Sequence, residues 1–209
     1  MKQNRKGLLL VISGPAGVGK GTINLSLISR NSDIRMSVSA TTRSPRPGEI
    51  DGVHYFFKSE EEFQKMIEDG AFLEYMRVFN THYYGTPKSF VEQELDEGRS
   101  VILEIDVQGA MRVKAAYPDA VLIFIAPPSM SELKSRLIHR GTESSEAIDR
   151  RFETAYQEMK YIDRYDYVVV NDILDLAIAR TEDIIVAERC RVSRNSELIE
   201  KLQGGRNAL

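Results

Sequence analysis

The sequence predicts an α/β fold with a parallel sheet core flanked by helices. Three observations predict it. Four segments of strand length, 8–12, 101–105, 121–126 and 167–170, are almost continuously apolar, as strands buried on both faces are. Segments with helical character lie between and after them, and strands alternating with helices imply crossover connections in a parallel sheet. A glycine-rich turn joins the first apolar run to the first helical segment.

Helices are expected at 23–29, 59–69, 131–139, 145–162 and 174–191. The second of these opens with Ser59 and Glu62, the spacing of a capping box. Segment 37–86 breaks the rhythm with shorter β-like pieces at 53–57 and 71–78 and a Pro47-Gly48 turn, and reads as a subdomain inserted between core strands. Segment 140–146 is polar throughout and reads as a mobile loop between two helices. The tail from 193 onward is partly amphipathic, and its last residues, after Gly204-Gly205, are expected to fray.

With 209 residues the chain matches one domain, or one core carrying inserted subdomains. Its 28 Lys and Arg against 31 Asp and Glu exclude a generic polyanion binder, so no nucleic-acid partner is expected and any phosphate chemistry must use locally placed cations. A single cysteine, Cys190, allows no intrachain disulfide and no CxxC metal pair, which fits a reducing, cytoplasmic setting. No apolar run approaches membrane-spanning length, and the first six residues lack a signal-peptide core. No membrane partner is expected.

The turn after the first strand reads Gly14-Pro15-Ala16-Gly17-Val18-Gly19-Lys20-Gly21-Thr22. Gly14, Gly19 and Lys20 satisfy G-x-x-x-x-G-K. Glycines let successive N–H groups turn inward onto a phosphate, the following helix adds its positive end, and the lysine adds a full charge. A nucleotide site follows. The hydroxyl that usually follows the lysine as a Mg²⁺ ligand is replaced by Gly21, and Thr22 is the adjacent substitute.

Arg43 and Arg46 stand three residues apart, and Pro45 and Pro47 flank Arg46. Prolines lower the entropic cost of presenting guanidinium groups, and arginine forks suit a dianionic phosphate. Ser39, Tyr55 and Tyr84 are hydroxyls able to complete such a shell, though each taken alone is more often structural. Further along, Arg136 and Arg140 share a helical face at spacing four, followed by Arg150 and Arg151. Taken alone, each set has an alternative, the first as a solvated basic loop and the second as a helix surface balanced by Glu143, Glu146 and Asp149. No histidine or cysteine group has metal-ligand spacing.

The segment from Ser39 to Glu49, then Gly52-Val-His-Tyr55-Phe-Phe57, Phe72-Leu-Glu74-Tyr75, Tyr83-Tyr84-Gly85-Thr86 and Glu104-Ile-Asp106-Val-Gln108-Gly109, resembles guanylate kinase. The resemblance runs from the phosphate loop to Asn171-Asp172 and covers most of the chain. It implies a P-loop core over roughly 1–38, 97–135 and 165–209, a GMP-binding insert over 39–96 and a helical lid over 136–160. The implied substrates are ATP and GMP, with dGMP tolerance expected, the products ADP and GDP, and the cofactor Mg²⁺ entering as MgATP.

Carried over by position, Gly14 to Thr22, Arg136 and Asn171 bind ATP. Ser39, Arg43, Arg46, Tyr55, Glu74, Tyr84, Thr86, Glu104 and Asp106 bind GMP, with Glu74 and Asp106 on the guanine side. Lys20, Arg43, Arg140 and Arg151 carry catalysis, with Arg150 the alternative to Arg151. The chemistry agrees: the guanine edge offers N–H donors to acceptor-only carboxylates, where adenine would set a lone pair against them. Taken alone, Glu74 could be a solvated strand residue, Asp106 a helix cap or a Mg²⁺ outer-shell group, and Asn171 a helix N-cap. A catalytically silent interaction module and a kinase for another monophosphate are the competing readings. A homo-oligomer stays open.

Overall fold

Residues 6–78, 81–139 and 145–204 are described in a computed structural model. The polar loop expected at 140–146 falls mostly outside them, as do the last five residues of the tail. The chain opens with β1 (Leu9–Ser13), α1 (Lys20–Arg30) and β2 (Ile34–Met36). A β-rich stretch follows: β3 (Ala40–Thr41), β4 (Phe56–Phe57), α2 (Glu60–Glu68), β5 (Phe72–Val78) and β6 (His82–Pro87). The α/β rhythm then resumes with α3 (Lys88–Asp96), β7 (Ser100–Glu104), α4 (Val107–Ala116) and β8 (Val121–Ala126). Helices α5 (Met130–His139) and α6 (Ser145–Met159) precede β9 (Tyr167–Val170), α7 (Leu174–Arg189) and α8 (Ser196–Gly204).

The four apolar runs all form strands, joined by β2, in a parallel five-stranded sheet of order β2-β7-β1-β8-β9. Side chains of β1 divide between its two faces. Leu10 and Ile12 pack with Ile23 and Leu27 of α1 and Ala177 and Ile178 of α7. Leu9 and Val11 pack with Val91 and Leu95 of α3 and Ala110 and Val113 of α4. With helices on both faces there is no solvent side to select polar residues, so the strand carries no alternation. Helix α3 therefore belongs to the core packing, although it falls within the 39–96 segment.

A second sheet of order β4-β3-β6-β5 is mixed, with β3 parallel to β4 and antiparallel to β6. Strands β5 and β6 pair antiparallel from Phe72↔Pro87 to Val78↔His82. Helix α2 covers this sheet through Phe63, whose ring stacks on Phe72 at 4.4 Å and on Tyr83 at 5.3 Å. Its capping box forms as expected: Glu62 N–H donates to Ser59 Oγ and Ser59 N–H to Glu62 Oε2, at 3.1 and 2.8 Å. Among the described residues no helix is long and apolar enough to cross a membrane.

Candidate active site

The turn between β1 and α1 is the phosphate loop anticipated from sequence. Gly14, Gly17 and Gly19 all have positive φ. Two of them also have no room for a side chain: a Cβ on Gly14 would stand 2.2 Å from the Ile125 carbonyl oxygen, and one on Gly19 2.6 Å from Asn171 Nδ2. The loop thus lies against the C-terminal ends of β8 and β9, where open α/β sheets bind ligands. Lys20 Nζ donates to the Gly14 and Pro15 carbonyls at 2.5 and 3.1 Å, so its ammonium lies over the loop. Gly21 differs from its neighbours: a Cβ there would meet only Glu104 Oε2, at 3.8 Å.

Asn171, at the end of β9, is buried and donates through Nδ2 to the Val18 carbonyl at 2.7 Å. It is not an N-cap; α7 starts after Ile173, and Asp172 Oδ1 accepts from the Ile173 N–H. Arg136 of α5 donates to the Asn171 carbonyl at 3.1 Å and pairs with Glu132 at 3.0 Å. These contacts link the loop between β1 and α1, the end of β9 and helix α5. Pro15 and Val18 are buried, whereas Ala16 and Thr22 are exposed.

The arginine cluster lies in the connection between β3 and β4 of the second sheet. Arg43 makes a bidentate pair with Glu49, Nη2 donating at 2.8 and 2.9 Å, and Nη1 donates to the Ser44 carbonyl. Its guanidinium stands 5.4 Å from the Tyr55 ring centroid, and Tyr55 meets Tyr84 edge-on at 6.0 Å. The Arg46 backbone N–H donates to Glu49 Oε2. That N–H, with the Arg43 guanidinium, holds the Glu49 carboxyl below its ordinary range. The Arg46 residue is exposed, and Ser39 is half-buried just before β3.

Glu74 of β5 is 7 % exposed, and Thr86, opposite it on β6, is 1 % exposed. Thr86 Oγ1 donates to Glu74 Oε1 at 2.9 Å. Burial pushes the Glu74 carboxyl up; the Thr86 hydrogen bond and the positive charge of Arg112 oppose that, and nearby Asp106 adds to it. Asp106 itself caps α4, accepting from the Gly109 N–H at 2.7 Å. One residue thus caps the helix and stands near Glu74.

Glu104 lies elsewhere. Its Oε2 accepts from Asn24 Nδ2 of α1 at 2.7 Å, which sets it against the phosphate loop and apart from the Glu74–Thr86 pair. Helices α5 and α6, which span most of the segment expected as a lid, pack together, with Lys134 pairing with Asp149 at 3.5 Å. Arg150 and Arg151 are both exposed on α6, and Arg140 lies outside the described residues. At the far end of α6, burial pushes the Glu158 carboxyl up while Lys20 acts against that shift. The end of this helix is thereby electrostatically coupled to the phosphate loop.

A family model described as guanylate kinase matches residues 6–188. This chain belongs to the guanylate kinase family. It is 56 % identical over 203 residues to the guanylate kinase of Caldanaerobacter subterraneus subsp. tengcongensis, covering 97 % of this chain and 98 % of that one. It is 53 % identical to the guanylate kinase of Desulfitobacterium hafniense, covering 93 % and 96 % of the two chains. The crystal structure of guanylate kinase from Anaplasma phagocytophilum superposes with a TM-score of 0.72 at 34 % identity, covering 94 % and 95 %.

In this guanylate kinase family member several residues partner the candidate site residues without a sequence signal of their own. Glu49 was visible six residues after Arg43, but only the fold of the loop turns it back onto that guanidinium. Asn24, Arg112 and Glu158 sit among ordinary helix residues. Their partners are 80, 38 and 138 positions away, and no local spacing announces them.

Proposed function

We infer that this chain transfers the γ-phosphoryl group of ATP to GMP, and to dGMP, giving ADP and the corresponding diphosphate. The observation that carries the reading is a buried carboxylate, Glu74, held by Thr86 beside Asp106 in a chain that also satisfies G-x-x-x-x-G-K at Gly14, Gly19 and Lys20. A buried acceptor-only group is costly unless it meets a donor, and the guanine edge supplies donors.

In this reading Gly14 to Thr22 cradle the ATP phosphates through backbone N–H groups, and Lys20 exchanges its loop carbonyls for the phosphate undergoing transfer. Asn171 and Arg136 border the adenine side. Arg43, Arg46, Ser39, Tyr55 and Tyr84 take the GMP phosphate, which competes with Glu49 for Arg43. Arg140 and Arg151 bring positive charge to the equatorial oxygens when the lid closes, and closure excludes water as a competing acceptor.

The donor set near the loop fits Mg²⁺: Glu104 offers hard carboxylate oxygen beside Gly21, with Thr22 one residue beyond the usual hydroxyl position. Mg²⁺ arriving with ATP supplies charge neutralisation between the phosphates. We place Glu104 on that side of the site, at the boundary with GMP. The division into core, insert (about 39–96, with α3 returning to the core) and lid (about 136–160) follows the same assignment. An exposed Cys190 thiol suits a reducing compartment such as the cytoplasm.

A coupled assay of ADP formation from MgATP, with GMP, dGMP, AMP, CMP, UMP and dTMP tested separately, examines the reading. Turnover confined to the two guanine nucleotides supports it. Equal turnover with AMP, or hydrolysis indifferent to acceptor, refutes it.

A further inference from the structure

The charge opposite Glu74 comes from a different part of the chain. Arg112, on α4, brings Nη2 to 4.0 Å from Glu74 Oε2, and α4 packs against β5. The two carboxylate oxygens are therefore addressed separately, Oε1 by the Thr86 hydroxyl and Oε2 by a guanidinium. The Glu74 side chain is 6 % exposed and that of Arg112 45 %, so the cation stays hydrated while the anion does not. Among the described residues Arg112 is the cation that ion-pairs with Glu74. The other charged group facing Glu74 is Asp106, at the start of the same helix; β6 contributes the neutral Thr86.

We propose that Arg112 is a positioning residue for base recognition: it fixes Glu74 Oε2, as a charged acceptor, for the N–H edge of guanine. The inference rests on the reading of Glu74 as the base-recognising carboxylate. It makes α4 the element that sets both base-side acids, Asp106 as its cap and Glu74 through Arg112. A pair at 4.0 Å with one exposed partner is weak in water. Its attraction strengthens once a bound base covers Glu74 and lowers the local dielectric, so Arg112 acts chiefly in the GMP complex.

Steady-state kinetics on the wild type, Arg112→Met, Arg112→Lys, Glu74→Gln and the Arg112→Met/Glu74→Gln double variant test this. Arg112→Met should raise the GMP KM about 5-fold, with kcat and the ATP KM within about twofold. Arg112→Lys should recover most of that loss. Removing a cation raises a carboxylate pKa, so the acid limb of kcat/KM for GMP should move to higher pH in Arg112→Met. Taking each profile as a ratio to wild type cancels the titration of the GMP phosphate itself, near pH ~6. In the Glu74→Gln background the Arg112→Met effect should vanish. If Glu74→Gln weakens GMP but Arg112→Met leaves KM and the acid limb unmoved, or acts equally in both backgrounds, the role of Arg112 is overturned and the base-recognition reading stands. If Glu74→Gln itself leaves GMP unaffected, that reading fails first and takes this inference with it.

Discussion

Glu74→Gln separates stability from function with opposite signs. The substitution keeps the side-chain volume and replaces one oxygen by a donor NH₂. If the amide oxygen stays on Thr86 Oγ1, now at 2.9 Å from Oε1, the NH₂ faces the guanine donors and a charge-assisted hydrogen bond is lost. If the amide flips, the Thr86 hydroxyl rotates to accept from the NH₂, and guanine loses only the charge. Charge-assisted bonds contribute about 1.5–3 kcal/mol, so kcat/KM for GMP should fall roughly 10- to 100-fold. The ATP KM should change little, because the proposed reading places the donor phosphates on another segment, the loop between β1 and α1. The preference for GMP over AMP should narrow.

In the free protein the same substitution removes a carboxylate whose ionised form burial disfavours. The folded-state pKa of Glu74 is raised, so the folded protein binds the proton more tightly than the unfolded chain. The stability associated with this group is full below the unfolded pKa, near the ordinary value of 4.5, and is lost as pH rises through the folded value. The melting temperature of Glu74→Gln, relative to wild type, should therefore climb as pH goes from acid to neutral. Paired melts at several pH values, with steady-state kinetics for GMP and AMP, check both halves. An unchanged GMP-to-AMP ratio would refute the placement of Glu74 at the base.

Lys20→Ala should lower turnover at least about 10²-fold with the melt intact, since the charge is aimed at the transferred group; near-normal turnover would contradict the phosphate-loop assignment. Arg43→Met and Arg46→Met should weaken GMP far more than ATP, and equal weakening of both nucleotides, measured by titration calorimetry, would move these arginines away from the acceptor phosphate. Gly19→Ala places a Cβ 2.6 Å from Asn171 Nδ2 at a φ of +92°, so denaturant melts should show a loss of about 1–3 kcal/mol together with weakened ATP binding; an unperturbed melt would mean the loop relaxes freely.

The sequence by itself determined the parts whose physics is local. The parallel sheet is legible because strands covered on both faces have no reason to alternate, as in β1 and β8; β9, at the sheet edge, forms where its apolar run stands but leaves Val168 and Val170 exposed, so burial on both faces does not hold there. The phosphate loop is legible because backbone N–H groups turned onto one anion need glycine at fixed intervals. The capping box of α2 is legible because both its hydrogen bonds span three residues. Helix α3 was not foreseen: its two buried residues, Val91 and Leu95, are too few to stand out in a charged segment. The two-residue strands β3 and β4 carry no period at all, and only the pairing of β3 with β6 and of β4 with β3 makes them strands.

Tertiary structure decided which charged groups meet. Asp106 could be a cap or a base-side acid, and the fold makes the cap the device that holds it near Glu74. Asn171 could cap a helix, and the fold instead ties its amide to the Val18 carbonyl, 153 residues earlier. Glu104 and Glu74 are both acidic strand residues in sequence; one faces the phosphate loop and the other is buried beside Thr86 and Arg112. Electrostatic partners act through distance in space over a few ångströms, and sequence separation does not encode that distance until the sheets have packed.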